Sequence, residues 1–233
     1  MTAFADLILR HSLIVSCQAA ETSPLRNAET MARLAAAAVQ GGATAIRANG
    51  AADIEAIRAV VEVPVIGINK VGDPAKVFIT PTVAAAREVI GAGAAVVALD
   101  GTSRPRPGGL TLRQQIAEIR TFSAVPLMAD VDSARAGIDA RDAGADVVAT
   151  TLSGYVGGQR PRDPDIGLIS ELVTAVDCEV IAEGRFWTPD QIRQALDAGA
   201  YAVVVGTAIT NPAAITRRLV SALEPLAADG ARG

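Results

Sequence analysis

Lys70 and Glu183 are the two side chains in this chain best suited to move a proton. Each stands where a short apolar run gives out, Val-Ile-Gly-Ile before Asn69-Lys70 and Val-Ile-Ala before Glu183. A lysine drawn partly out of water has its pKa lowered, which yields a neutral amine able to take a proton. A carboxylate opposite it can transfer a proton or stabilise the cation that forms. The bland alternative is a structural ion pair, yet titratable partners brought together at one pocket from separate strands point to function. The stretch Val180-Ile-Ala-Glu-Gly-Arg-Phe-Trp-Thr-Pro189 sharpens the question. It puts a carboxylate, a flexible residue and a guanidinium at one strand exit, and burying charge is costly unless the charge is paired or used.

Other strand exits carry polar groups too. In chain order they are Gln18, Arg47, Lys70, Asp100, Asp130, Thr150 with Thr151, Glu183, and Gly206 with Thr207. Aimed at one mouth, they make a polar pocket. Gly184-Arg185 and Gly206-Thr207 give that pocket a phosphate end, because small residues let backbone N–H groups approach an anion and Arg185 adds a fixed cation.

Metal chemistry is disfavoured. The only histidine, His11, precedes the first strand and reads as a surface residue, and a transition-metal site usually draws on His or Cys. Asp100, Asp130 and Glu183 are possible Mg²⁺ ligands, but Lys70 and Arg185 nearby argue against a carboxylate cage. The expectation is no metal.

The elements that must position these groups are visible as an internal repeat. Gly42-Ala-Thr-Ala-Ile-Arg47, Gly93-Ala-Ala-Val-Val-Ala98, Gly144-Ala-Asp-Val-Val-Ala149 and Gly199-Ala-Tyr-Ala-Val-Val204 share one phrase, with glycines 51, 51 and 55 residues apart. Each follows an Ala-rich amphipathic segment, so each glycine reads as a helix C-cap entering a strand. Between them lie Val63-Pro-Val-Ile-Gly-Ile68, Val125-Pro-Leu-Met-Ala129 and Cys178-Glu-Val-Ile-Ala182, and Leu13 to Gln18 opens the series. Short apolar strands alternating with helices mean a parallel sheet covered on its faces. Eight of them predict an α/β fold, a single (β/α)₈ barrel of the TIM type, with its site at the C-terminal strand ends. An open doubly wound sheet is the rival, but it has no reason to repeat in quarters, and no G-x-G-x-x-G turn follows the first strand. No linker interrupts the pattern, so residues 1–233 are expected to form one domain.

Composition narrows the partners. The chain has 233 residues, 50% hydrophobic and 3% aromatic, with a formal net charge of -4. Without a basic run, nucleic acid is not an expected partner. Asp6, Arg10 and His11 interrupt the opening residues, which therefore do not read as a signal peptide. No uncharged apolar run approaches the ~18 residues of a membrane span. Cys17 and Cys178 sit in strand-like segments and read as buried thiols rather than a disulfide, which fits a cytoplasmic location.

An ordered set of motifs carries a resemblance. Val-Ser-Cys17-Gln18, Ala-Ile-Arg47-Ala, Ile-Gly-Ile-Asn-Lys70, Ile-Thr80-Pro-Thr, Ala-Leu-Asp100, Arg104-Pro-Arg-Pro, Met-Ala-Asp130, Thr150-Thr-Leu-Ser-Gly-Tyr155, Ala-Glu183-Gly-Arg-Phe-Trp-Thr-Pro and Val-Val-Val-Gly206-Thr-Ala-Ile-Thr resemble the N-acetylmannosamine-6-phosphate 2-epimerase family, from about residue 13 to residue 219. That family interconverts N-acetylmannosamine 6-phosphate and N-acetylglucosamine 6-phosphate in sialic acid catabolism, without metal or organic cofactor. The resemblance implies that Lys70 is the catalytic lysine and Glu183 the essential glutamate. It places Gln18, Arg47 and Asp130 on the sugar, with Thr151 beside them. Gly184, Arg185, Gly206 and Thr207 correspond to the phosphate cradle. Relatives are often dimers, and the apolar segment Ile215 to Leu223 suits such a contact, so a homodimer is expected.

Two departures bear on substrate preference. Phe78 stands where relatives usually carry tyrosine, and Asn211 where they commonly carry arginine. Two other readings stay open at this point: a Schiff-base aldolase or lyase on a phosphorylated sugar with Lys70 as nucleophile, and a sugar-phosphate sensor without turnover.

Overall fold

The computed structural model describes residues 3–155 and 161–223. Its strands are β1 (Leu13–Cys17), β2 (Ala45–Asn49), β3 (Val65–Ile68), β4 (Val96–Asp100), β5 (Leu127–Asp130), β6 (Val147–Ala149), β7 (Glu179–Glu183) and β8 (Ala202–Val205). They pair in parallel and in chain order, and β8 pairs back onto β1, closing the barrel. The expected (β/α)₈ architecture is therefore present, and the open-sheet rival is excluded.

The helices are α1 (Phe4–Leu7), α2 (Ala28–Gln40), α3 (Ala51–Arg58), α4 (Val83–Gly91), α5 (Leu112–Arg120), α6 (Ala134–Ala143), α7 (Ile166–Ala175), α8 (Pro189–Asp197), α9 (Thr207–Thr210) and α10 (Pro212–Val220). Their starts are chemically marked. Thr82, Thr111, Ser133, Asp165, Thr188 and Asn211 each accept a backbone N–H of the first turn that follows, which satisfies an otherwise orphaned donor. The four repeat glycines have φ between +90° and +107°, a conformation other residues adopt at a cost, so their reading as helix-to-strand caps holds.

Alternation along each strand divides the core in two. Outward residues such as Val15, Cys17, Ile46, Ala48, Val97 and Leu99 pack against α2 to α7. Inward residues Ile14, Ala45, Ile66, Val96, Met128, Val147, Ile181 and Ala202 fill the barrel. One step further along the same inward rows come Ser16, Arg47, Asp130 and Glu183, and two steps beyond Val96 comes Asp100. An apolar plug thus sits beneath a polar layer. Phe4 and Ile8 join the apolar interior, with the Tyr201 hydroxyl donating to the Ile8 carbonyl at 2.9 Å.

Burial pushes the Cys17 thiol up to about 12 and the Cys178 thiol up to about 11, and neither is in a disulfide. No helix among the described residues is long and apolar enough to cross a membrane.

Candidate active site

Arg47 is the hub of the polar layer. It lies within β2, two residues before the strand's end, and is only 1% exposed. Its Nη1 and Nη2 donate to Asp130 Oδ1 and Oδ2 at 3.0 and 2.5 Å, and Nη1 also donates to Glu183 Oε2 at 2.5 Å. Burial alone would lower the guanidinium's pKa. Asp130 and Glu183 outweigh that and push it up, so Arg47 stays charged. Asp130, at 0% exposure, does not border the cavity, so the sugar contact expected of it gives way to a role in holding Arg47. Thr151 donates to Asp130 Oδ1 at 2.6 Å and sits 3.1 Å from Glu183 Oε2.

Glu183 is set by its neighbour strand. The Thr150 hydroxyl donates to the Glu183 carbonyl at 2.9 Å and accepts the Glu183 N–H at 3.0 Å. Burial raises the Glu183 carboxyl to about 7, with Asp130 adding to the rise and Arg47, Thr151 and Lys70 opposing it. Near neutral pH it is therefore divided between acid and carboxylate.

Lys70 comes from the opposite side of the ring, since β3 and β7 are four strands apart. It is not on β3 itself, which ends at Ile68. A bridge to Ile79 holds it, and its N–H donates to Asn49 Oδ1 at 2.8 Å. The residue is exposed to solvent within the mouth, more so than the partial burial expected from the sequence. Even so, the enclosing barrel walls hold its ammonium below the usual lysine range, and the Arg47 charge adds to this while Glu183 and Asp130 oppose it.

Lys70, Glu183, Arg47, Gln18 and Thr151 line one cavity of about 960 Å³, together with Gly184, Arg185, Gly206 and Thr207. The Gln18 amide donates to Ser16 Oγ at 2.7 Å. Among the described residues, Gln18 Oε1 and Arg47 Nε are buried without a hydrogen-bond partner. Gly184 takes φ +117° and Arg185 φ +63°, which turns the chain sharply after the carboxylate. The Arg185 Nε donates to the Asp163 carbonyl at 2.7 Å, and its Nη1 donates to the Ser153 carbonyl. These contacts fasten the β7 exit to the segments flanking residues 156–160.

Asp100 departs from the group. It accepts from Thr102 Oγ1 at 2.6 Å and from Arg104 Nη2 at 2.6 Å, and it does not border the cavity. His11 is exposed, as read from the sequence. Among the described residues no three His, Cys, Asp or Glu groups assemble as metal ligands. Asn49 is a positioning residue that sequence reasoning passed over, whereas Thr150 was read as a strand-exit group and proves to hold the Glu183 backbone. Asn49 was legible in principle, because it lies two residues after Arg47 on one strand and shares its face.

A family model described as "Putative N-acetylmannosamine-6-phosphate epimerase" matches residues 31–225. The chain belongs to this family. It is 51% identical over 223 residues to a "Putative N-acetylmannosamine-6-phosphate 2-epimerase" of Cutibacterium acnes, covering 93% of this chain and 96% of that one. A relative of the same description from Caldanaerobacter subterraneus is 48% identical, covering 91% of each chain. Among solved structures, the N-acetylmannosamine-6-phosphate 2-epimerase from Clostridium perfringens superposes with a TM-score of 0.90 at 40% identity, covering 95% of this chain and 96% of that one.

Both residues expected to bear on substrate preference border the cavity. Phe78 is half-buried against the barrel interior while bordering the cavity. Asn211 also borders the cavity, and its Oδ1 accepts the Ala214 N–H at 3.0 Å, capping α10.

Proposed function

We propose that this chain is an N-acetylmannosamine-6-phosphate 2-epimerase, a single barrel domain that inverts carbon 2 of an N-acylated amino-sugar 6-phosphate. The observation that carries the reading is the Lys70–Glu183 pair. The two groups face one cavity from opposite sides of the ring, with their proton affinities displaced towards each other. Family membership and the likeness to the Clostridium perfringens epimerase support it.

Inversion requires removal of the proton on carbon 2 and delivery of one to the other face. That proton is weakly acidic even beside a carbonyl, so the site needs a base and groups that hold the enolate-like intermediate. Lys70, with its ammonium destabilised, takes the proton from carbon 2, and the Lys70 ammonium so formed returns a proton to carbon 2 once the planar intermediate has turned its other face to it. Glu183 moves a proton on the sugar oxygen, opening the ring or stabilising the intermediate, and its raised pKa lets it give and accept near neutral pH. Arg47, fixed by Asp130, keeps a positive charge beside the developing oxyanion. Gln18 and Thr151 contact the sugar, and the partnerless Gln18 Oε1 and Arg47 Nε are suited to its polar groups. Arg185 and the backbone of Gly184, Gly206 and Thr207 hold the phosphate. No metal or cofactor takes part.

We place the enzyme in the cytoplasm as a homodimer. Support for the dimer comes from α10, which buries none of its residues and leaves Leu219 and Val220 exposed, with Leu223 just beyond.

Turnover of N-acetylmannosamine 6-phosphate in D₂O tests the chemistry. Deuterium is expected at carbon 2 of the product, and Lys70→Met should stop the exchange while leaving substrate binding within a few-fold. Full activity in Lys70→Met sinks the assignment. A borohydride-trapped adduct on Lys70 would instead favour the aldolase reading.

A further inference from the structure

Lys70 stands in the cavity, and part of what fixes its backbone lies outside it. The lysine precedes a loop whose two ends are stitched together. Thr80 N–H donates to the Asn69 carbonyl at 2.8 Å, and Asn69 N–H donates to Thr80 Oγ1 at 3.0 Å. Val71 N–H donates to the Phe78 carbonyl at 2.9 Å, completing the bridge around Lys70 and Ile79. Thr80 is 0% exposed and holds φ +45°. For a β-branched residue that is an outlier, and such a conformation persists only where the surroundings impose it.

The surroundings are a buried polar chain. Gln115, on α5 and 1% exposed, donates through Nε2 to the Thr80 carbonyl at 2.9 Å. Its Oε1 accepts from Arg106 Nε at 3.1 Å, and Arg106 in turn donates to the carbonyls of Asp100 and Thr102. Asp100 N–H donates to the Ile79 carbonyl at 2.9 Å. The loop is thereby anchored to both β4 and α5. Neither Thr80 nor Gln115 borders the cavity, so neither is available to touch substrate.

We propose that Thr80 and Gln115 are positioning residues for Lys70, holding the segment 69–80 so that the amine sits at reacting distance from carbon 2. This rests on Lys70 being the base. A strained, fully buried residue tied by its own hydroxyl to the residue before the lysine, and by its carbonyl to a neighbouring helix, is a device for fixing one backbone position. A misplacement of ~1 Å costs about 10²-fold in rate, while substrate affinity is set by the sugar and phosphate contacts elsewhere in the mouth.

The experiment compares steady-state kinetics of Thr80→Ala, Thr80→Ser and Gln115→Leu with wild type, with Lys70→Met and Ile119→Val as references. Thr80→Ala removes the acceptor for Asn69, and its kcat is expected to fall about 10- to 100-fold with KM within a few-fold. Thr80→Ser restores the oxygen and should recover most of the rate. Gln115→Leu should repeat the loss, which keeps the test decisive if Thr80→Ala does not fold. Ile119→Val, a core change on the same helix, should lower Tm and leave kcat alone. Wild-type kcat in Thr80→Ala or Gln115→Leu, beside an inactive Lys70→Met, overturns the positioning role while sparing the base assignment. So does a rise in KM matching the fall in kcat, or failure of Thr80→Ser to rescue. An active Lys70→Met overturns both.

Discussion

Arg47 Nη1 donates to Glu183 Oε2 at 2.5 Å while the same guanidinium clasps both carboxylate oxygens of Asp130. One buried cation therefore serves two carboxylates, which leaves the cluster one negative charge in excess. A proton on either Lys70 or Glu183 balances it. Burial is the main reason the lysine's proton affinity falls and the glutamate's rises; the Arg47 charge lowers the first further and Asp130 raises the second further, while the excess negative charge itself opposes the fall at Lys70.

Removing the shared cation should be costly. Arg47→Met leaves Asp130 and Glu183 buried without their partner, and breaking such a pair typically destabilises by about 3–5 kcal/mol. Thermal and urea unfolding should show a large drop in stability, along with loss of turnover. An unchanged Tm would mean that the two carboxylates are not held by Arg47 in solution.

Glu183 should make stability depend on pH. Its folded pKa, about 7, lies above its reference value of 4.5, so between these the folded state binds the extra proton. The stabilisation this provides is fully present below 4.5 and is lost as pH rises through 7. In urea titrations across that window, the stability of wild type relative to Glu183→Gln should decline with rising pH. A flat difference contradicts the raised pKa. The same variant should lower turnover by at least ~10²-fold.

The phosphate end is tested by Arg185→Met. Loss of a charge-assisted hydrogen bond costs roughly 1.5–3 kcal/mol, or about ten- to a hundred-fold in affinity for the phosphorylated sugar. Isothermal titration with an unphosphorylated analogue should show little change. Equal losses for both ligands would place the phosphate elsewhere, and would leave Arg185 as a clamp on Ser153 and Asp163.

Activity should survive exhaustive chelation. The acidic groups near the mouth are already engaged by cations, Asp130 and Glu183 by Arg47 and Asp100 by Arg104. If EDTA abolished turnover and Mg²⁺ restored it, these carboxylates would have to be reassigned as ligands.

The sequence by itself determined the barrel and most of its mouth, although Asp100 and Asp130, expected there, do not border the cavity. Repeated Gly-Ala-x-x-Val phrases and period-two apolar strands leave few ways to bury their surface, and a parallel barrel is the one that uses all eight. Lys70, Glu183, Gln18, Thr151 and the glycine loops were legible because strand exits must converge once the barrel closes. Tertiary structure decided how the charges are apportioned. Asp100 and Asp130 occupy equivalent strand ends and pair in register, yet one turns to Thr102 and Arg104 while the other is captured by Arg47 from across the barrel. Lys70 is held by Asn49 and by a bridge to Ile79, not by its own strand. Local sequence specifies backbone periodicity. Which cation satisfies which buried carboxylate depends on distances between strands far apart in the chain, and those exist only after the ring has closed.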